Sequence, residues 1–161
     1  MVSPQTFADD LQFLIDKHAR TLTLLDGGRT IKTYRIALGR VPCGDKKVEG
    51  DGRTPEGDLF VFTKNDKSKY CVSLGLSYPG RKDAERGLVQ KLITEEQYDE
   101  IVAAVNEKRK PLQHTPLGGE IYIHGGGAVT DWTDGCVALA NEDMRELFSI
   151  AFVGMSVTIR P

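Results

Sequence analysis

The feature that most constrains the fold is a series of short β-rich runs, each bounded on at least one side by glycine or proline. Residues 21–26 (TLTLLD) and 30–39 (TIKTYRIALG) stand on either side of a Gly-Gly turn, which is the pattern of a β-hairpin. Runs joined by turns favour antiparallel neighbours. The sequence therefore predicts an α+β fold, mainly an antiparallel β-sandwich or barrel with flanking and inserted helices. Later runs cover residues 58–66, 70–80, 120–125, 135–139 and 155–161.

Helices are expected at both ends of the chain. Residues 1–20 predict an N-terminal amphipathic helix, because four apolar side chains recur there at helical spacing. Near the other end, Asn141 is expected to cap a short helix at residues 142–151. The apolar side chains of the N-terminal segment are Phe7, Leu11, Leu14 and Ile15.

A third helical segment interrupts the β-rich runs at residues 84–116. Within it, Thr94 and Gln97 have the spacing of a capping box, which predicts a helix from residue 95 to residue 110. The segment is longer than a connecting loop requires. We therefore hypothesise that this insertion acts as a lid over a neighbouring groove.

Size and charge restrict the function classes. The chain of 161 residues has no repeat or linker, so we expect one domain over residues 1–161 and a monomer. Its formal net charge of -2 provides no excess of positive charge for binding duplex nucleic acid. No apolar run is long enough to cross a bilayer. The N-terminus has acidic residues where a signal peptide has basic ones. A cytoplasmic protein and an exported protein whose signal was removed are both compatible with it.

One stretch, IYIHGGGAVTDWTDGCVAL, combines the residue types of nucleophilic catalysis. Cys136 follows Gly135 at the entry to a β-rich run, and His124 ends the run before it. A neighbouring base converts a thiol into a strongly nucleophilic thiolate, and backbone N–H groups around Gly135 and Cys136 could form an oxyanion hole. The pattern is compatible with acyl transfer by a Cys–His pair, in which Gly135 lets the backbone bend sharply just before Cys136.

The same residues also have a purely structural interpretation. A single cysteine is most often a small core residue, and a single histidine most often a surface residue. Cys43 and Cys71 are interpreted in this way, with a disulfide between them as the alternative in an oxidising compartment. We expect no metal site, since a set of His114, His124, Asp131 and Cys136 has no usual ligand spacing.

The stretch from His124 to Cys136 resembles the signature of the YkuD-type L,D-transpeptidase catalytic domain. That signature has His-Gly, a variable loop, and Ser/Thr-x-Gly-Cys, matched here by His124-Gly125 and Thr133-Asp134-Gly135-Cys136. Upstream, GDGRTPEGDLFVF is similar to the Thr-Pro-x-Gly-x-Phe element of the family. LGLSYPGRKDAERG resembles a segment of its YafK-like, murein-acting branch.

The resemblance implies a β-sandwich with a cysteine nucleophile and no cofactor. Members attack the peptide bond after the diamino acid of a peptidoglycan stem peptide, form a thioester, and pass the acyl group to an amine or to water. By the motif match, Cys136 would be the nucleophile and His124 the general base and acid. The third member of such a site is usually a backbone carbonyl, here near Gly125 or Gly135. Carbapenems often acylate the cysteine of this family.

The sequence departs from the family pattern beside the nucleophile. Many members have arginine two residues after the cysteine, where this chain has Ala138. We expect an arginine elsewhere in the chain to take over the role of that side chain, and we favour Arg53 over Arg81 and Arg145. The carboxylate of Asp134 would raise the thiol pKa unless a cation neutralises it, and we expect Asp134 either to cap a loop or to pair with an arginine. The residues expected to bind substrate are Arg53, Tyr78, Gly125, Trp132, Thr133 and Asp134.

Three function classes remain open on the sequence. The first is an L,D-transpeptidase acting on peptidoglycan stem peptides in the periplasm or envelope of a bacterium. The second is an L,D-carboxypeptidase or related thiol amidase on murein, including a secreted effector; the third is a non-catalytic cell-wall binding module. The presence of both His124 and Cys136 favours the two enzymatic classes.

Overall fold

The structure, a computed structural model, describes residues 10–161. Within this range the chain forms eight strands and three helices. The strands are β1 Leu11–Asp16, β2 Thr21–Asp26, β3 Arg29–Arg35, β4 Gly57–Ser68, β5 Cys71–Leu76, β6 Tyr122–His124, β7 Val137–Ala138 and β8 Ser156–Arg160. The helices are α1 Arg81–Val89, α2 Glu95–Asn106 and α3 Asn141–Ile150.

The strands form one curved sheet in the order β3-β2-β1-β8-β4-β5-β6-β7. The β1/β8 and β6/β7 pairs are parallel, whereas the other neighbours are antiparallel. The two ends of the sheet meet, because Ala37, just beyond β3, exchanges backbone hydrogen bonds of 2.8 and 2.9 Å with Ala138 of β7. The α+β, sheet-rich fold predicted from the sequence is confirmed.

The N-terminal segment is the main error of the sequence analysis. Residues 11–16 form strand β1, and the expected helix over residues 1–20 is wrong for this part of it. Side chains of β1 alternate in burial, with Phe13 and Ile15 completely buried between β2 and β8. Residues 1–9, which include Phe7, lie outside the described residues.

The helical insertion forms a small unit with its own apolar contacts. Buried side chains of α1 and α2 pack together with those of the segments that follow them, namely Ala84, Ile93, Ile101 and Leu117. The capping box is confirmed: the Thr94 hydroxyl accepts from the Gln97 N–H at 3.1 Å, and the Gln97 side chain accepts from the Thr94 N–H at 3.0 Å. The helix ends at Asn106, four residues earlier than predicted.

Candidate active site

Strands β6 and β7 bring His124 and Cys136 to one face of the sheet. Their parallel register pairs Ile123 with Val137 and His124 with Ala138. Since side chains alternate along a strand, the fully buried Ile123 and Val137 point into the core. His124 and the residue before β7, Cys136, point to the opposite face, where both line the same cavities.

Two adjacent cavities meet at this pair. Both are lined by Tyr70, Glu120, His124 and Cys136. One of about 280 Å³, which we call the Trp132 cavity, is also lined by Arg40, Lys46, Glu49, Gly119, Trp132, Thr133 and Asp134. The other, of about 390 Å³ and called the Ser73 cavity, is also lined by Asn65, Lys67, Ser68, Lys69, Ser73 and Tyr122.

The thiol of Cys136 is held by backbone groups of the segment that leads into β6. Its Sγ accepts from the Tyr122 N–H and donates to the Glu120 carbonyl, both at 3.4 Å. Burial, with a smaller contribution from the carboxylates of Asp134 and Glu120, raises the pKa of the Cys136 thiol to about 11. The Tyr122 N–H and the Lys46 ammonium lower this pKa. The resting thiol is therefore neutral.

The imidazole of His124 is oriented by the next residue. Nδ1 lies 2.6 Å from the Gly125 carbonyl oxygen. Because a carbonyl only accepts, Nδ1 carries the proton and Nε2 keeps its lone pair. Burial lowers the pKa of His124, opposed by the Gly125 hydrogen bond. The ring stacks on Tyr70 at 4.8 Å and meets the edge of Trp132 at 5.6 Å.

The pH dependence of Cys136 alkylation follows from this neutral pair. Since the thiol pKa is about 11, we expect the iodoacetamide rate to rise about tenfold per pH unit between about pH 6 and pH 9, as the thiolate fraction grows. Mass spectrometry of the Cys136 peptide measures the rate. A rate already constant from about pH 6 would reveal a thiolate–imidazolium pair and contradict the neutral resting state.

A glycine turn presents Cys136 to the cavities. Gly135 has φ +134°, and a Cβ at this position would lie 2.7 Å from the Arg53 carbonyl oxygen. The Thr133 hydroxyl accepts from the Gly135 N–H at 3.1 Å and donates to the Cys136 carbonyl at 2.7 Å. The turn thus has a fixed geometry, and the residue before Cys136 has to be glycine.

Replacing Gly135 with alanine is expected to lower the free energy of unfolding by about 2 kcal/mol or more and to slow acylation of Cys136, since the new Cβ displaces the turn. Gly127→Ala is the matched control, because Gly127 also has positive φ (+115°) but faces open space. Urea unfolding of both variants measures the difference. Equal destabilisation would show that backbone conformation, not the contact with Arg53, makes glycine necessary.

The glycines after His124 are held by Asn141. Its side-chain oxygen accepts from the Gly126 N–H at 2.8 Å, and it lies 2.5 Å from where a Cβ of Gly125 would be. Asn141 is the first residue of α3, its side chain does not cap that helix, and the expected cap is wrong. The side chain instead fixes the loop that carries the carbonyl bound by His124.

Three residues expected to bind substrate lie in the Trp132 cavity. Trp132 forms one wall, and its Nε1 donates to the Gly127 carbonyl at 3.0 Å. Thr133 mainly braces the turn before Cys136. The Asp134 side chain is 90% exposed and pairs with Arg40, which confirms the expected pairing with an arginine.

Other predicted contacts are wrong. Tyr78 is completely buried, and its hydroxyl donates to the Leu117 carbonyl at 2.6 Å. The Arg53 side chain lines neither cavity, because its Nε donates to the Cys43 carbonyl at 3.1 Å; only its own carbonyl reaches Gly135. Arg81 and Arg145 line neither cavity either.

The lid hypothesis also fails. No residue between 84 and 116 lines the Trp132 or the Ser73 cavity. The helices α1 and α2 border a separate cleft beside the start of β4, where residues such as Val105 and Phe60 face each other. Their buried apolar side chains pack against each other and against Leu117.

Sequence reasoning missed four residues that surround the pair: Arg40, Lys46, Tyr70 and Glu120. None belongs to the motif around Cys136, and a lysine or tyrosine in a loop carries no local signal of the cavity it reaches. Of these four residues only Glu120 has an unusual backbone conformation, with a positive φ of +57°, and this conformation is seen only in the structure.

The remaining candidate groups are accounted for among residues 10–161. Cys43, Cys71 and Cys136 are free thiols in this range, so the alternative disulfide is not formed. Asp131 pairs with Arg20 at 2.7 Å, and the described residues contain no group of three potential metal ligands. The described helices include none with the length and apolarity that a membrane span requires.

Comparison with protein families gives one match. The model of the L,D-transpeptidase catalytic domain, YkuD, matches residues 11–159. Comparison with curated proteins gives no match.

Solved structures share the fold at low sequence identity. The cell shape determining protein Pgp2 of Campylobacter jejuni, as a K307A mutant, superposes with a TM-score of 0.63 at 22% identity, over 96% of this chain and 48% of that one. Bd1075 of Bdellovibrio bacteriovorus gives 0.62 at 19% identity, over 99% and 50%. An L,D-transpeptidase of Mycobacterium smegmatis gives 0.55 at 10% identity, over 94% and 59%. This chain thus spans about half the length of the first two proteins.

Proposed function

We propose that this chain, which belongs to the L,D-transpeptidase (YkuD) catalytic domain family, transfers the acyl group of peptidoglycan stem peptides through a thioester on Cys136. The observation that carries the proposal is the arrangement of the Cys–His pair. Both side chains face the same two cavities, and His124 is held by Gly125 with Nε2 unprotonated. The enzyme would act in the cell envelope of a bacterium.

The first half of the reaction forms the thioester. His124 Nε2 accepts the thiol proton as Sγ attacks the carbonyl carbon of the peptide bond. The tetrahedral intermediate then collapses: the C–N bond breaks, and His124 returns the proton to the leaving amine. The Gly125 carbonyl supports the positive charge that His124 carries between these two events.

The oxyanion of the tetrahedral intermediate needs a hydrogen-bond donor close to Sγ. The Gly135 N–H is already bound to the Thr133 hydroxyl at 3.1 Å. We assign the role to the backbone N–H of Cys136 itself, the next donor along the turn. Thr133 then acts as a brace for this donor, and Trp132 as a wall against which the substrate peptide packs.

The second half releases the acyl group. An amine or a water molecule gives a proton to His124 and attacks the thioester carbon. The C–S bond breaks, and Sγ recovers the proton. An amine acceptor gives a cross-linked dimer (transpeptidation), whereas water gives a shortened stem (carboxypeptidase or amidase action).

Purified disaccharide-tetrapeptide and disaccharide-pentapeptide muropeptides test the proposal. Products are followed by mass after incubation with the protein, and thiol-blocked protein is the control. Dimers would establish transpeptidation, and loss of the terminal residue would establish carboxypeptidase action. If neither substrate changes, or if blocked protein gives the same products, the proposed function is wrong.

A further inference from the structure

Position 138, two residues after Cys136, carries no cation. Ala138 is fully buried in a small cluster with Ala37, Ala128 and Trp132. Its backbone pairs with Ala37 on one side and with β6 on the other. A long basic side chain would have to displace this cluster, so any positive charge near Cys136 comes from elsewhere in the chain.

Two basic side chains line the Trp132 cavity, and they differ in solvent exposure. The Arg40 side chain is 63% exposed and paired with Asp134, and an exposed pair of this kind has little effect because water and salt screen it. The Lys46 side chain is only 3% exposed. A buried charge acts over a longer range, since little water screens it.

The ammonium group of Lys46 has a fixed orientation. Nζ donates to the Asp51 carboxylate at 2.9 Å and to the Val48 carbonyl at 3.0 Å. Asp51 lines neither cavity, whereas Lys46 lines the Trp132 cavity. Lys46 therefore brings a buried positive charge to the wall of the cavity that holds Cys136, while Asp51, which balances part of that charge, lies behind it in the loop. Gly118 makes room for the lysine, because a Cβ there would lie 3.0 Å from Lys46 Cε.

We propose that Lys46 is the positioning residue that provides the positive charge facing Cys136, in place of a basic residue at position 138. Its field favours both the anionic Sγ and the anionic oxygen that develops on the carbonyl under attack. The carboxylates of Asp134 and Glu120 oppose it, and the Tyr122 N–H supports it. The other titratable groups that line the two cavities are Arg40, Glu49, Lys67, Lys69, Tyr70 and His124.

Only the catalytic consequence of this role rests on the proposed function; the charge itself is tested by alkylation. In that reaction the Cys136 thiolate displaces iodide from iodoacetamide, one C–S bond forms, one C–I bond breaks, and the thiol proton passes to solvent. In Lys46→Met, which removes the charge but keeps an unbranched side chain, we expect the rate to fall about threefold to tenfold at each pH. This corresponds to displacement of the rate–pH curve toward higher pH by about half a pH unit to one pH unit.

Three further variants separate charge from structure. Lys46→Arg should keep the rate within about twofold of the wild type, because it keeps the charge. Asp134→Asn should move the curve only slightly to lower pH, because the charge that it removes opposes Lys46 but is 90% exposed and already paired with Arg40. Lys47→Met is the matched control: this neighbouring lysine is exposed and lines neither cavity, so its loss should leave the curve in place.

The Lys46→Met protein should still fold, because Asp51 also accepts from the N–H groups of Lys47, Val48 and Arg53. Thermal unfolding checks this. If the variant does not fold, Asp51→Asn replaces it and must move the curve to lower pH, since it removes the charge that balances Lys46.

Two results would overturn the inference. One is a rate–pH curve for Lys46→Met, or for Asp51→Asn where it is used, that coincides with the wild type. The other is equal slowing in Lys46→Met and Lys46→Arg, which would indicate a packing role. A displaced curve in a protein that leaves muropeptides unchanged would support the role of Lys46 and reject the proposed function.

Discussion

The Cys136→Ala variant is expected to form no covalent adduct with a carbapenem and to convert muropeptides at least about a thousandfold more slowly than the wild type. Cys136 supplies the only thiol of the two cavities that carry the proposed reaction, so no other side chain can take over the thioester. Intact-protein mass after incubation with imipenem, and product mass with muropeptides, measure the two effects.

Cys43→Ser is the matched control for that experiment. Cys43 is an exposed free thiol that lines neither cavity, so its replacement should leave both the adduct and the turnover in place. Adduct formation that persists in Cys136→Ala and disappears in Cys43→Ser would show that the reactive thiol is Cys43, outside the two cavities, and would refute the site.

The His124→Gln variant is expected to slow thioester formation by about a hundredfold to ten-thousandfold. Glutamine keeps a hydrogen-bonding group near the Gly125 carbonyl but cannot accept the thiol proton. Because burial lowers the pKa of His124, the wild-type imidazole is already unprotonated at neutral pH, and its activity should fall only when acid protonates it. Single-turnover acylation by imipenem, followed over a range of pH, measures both effects.

Alkylation distinguishes a lost base from a lost fold in His124→Gln. At high pH hydroxide generates the thiolate directly, so the variant and the wild type should react with iodoacetamide at converging rates. His18→Gln is the control, because His18 is exposed and lies in a different cavity, beside Lys17 and Pro161. An acylation rate unchanged in His124→Gln would exclude His124 as the base.

Local signals in the sequence predicted most of the elements. The hairpin of β2 and β3 and the capping box of α2 depend on residues close together in the chain, and both are confirmed. The prediction for residues 11–16 was wrong, because Leu11, Leu14 and Ile15 have helical spacing while Leu11, Phe13 and Ile15 fit an alternating strand. Pairing with β8, from the far end of the chain, decides between the two.

In the site, too, residues with a local sequence signal could be predicted, whereas residues brought in from distant parts of the chain could not. Cys136 and His124 could be located because they belong to one contiguous motif, and the structure places both on the same cavities. Arg53 was misplaced because a turn motif does not specify which way a side chain leaves it. Lys46 and Tyr70 reach the cavities from loops that only the closed sheet brings near, and Tyr78 is buried although its residue type suits a groove equally well.

The closed sheet also determines when the thiol becomes usable during synthesis. Strand β8 lies between β1 and β4, and Ala37 bonds to Ala138 across the seam beside Cys136. On the ribosome, the pairings of β8 have to wait until residues 156–160 have left the exit tunnel. Until then the sheet that carries His124 and Cys136 lacks the strand that joins β1 to β4. A nascent chain should therefore carry an ordinary, unassisted thiol, and reactivity toward acyl donors should appear only with the finished fold.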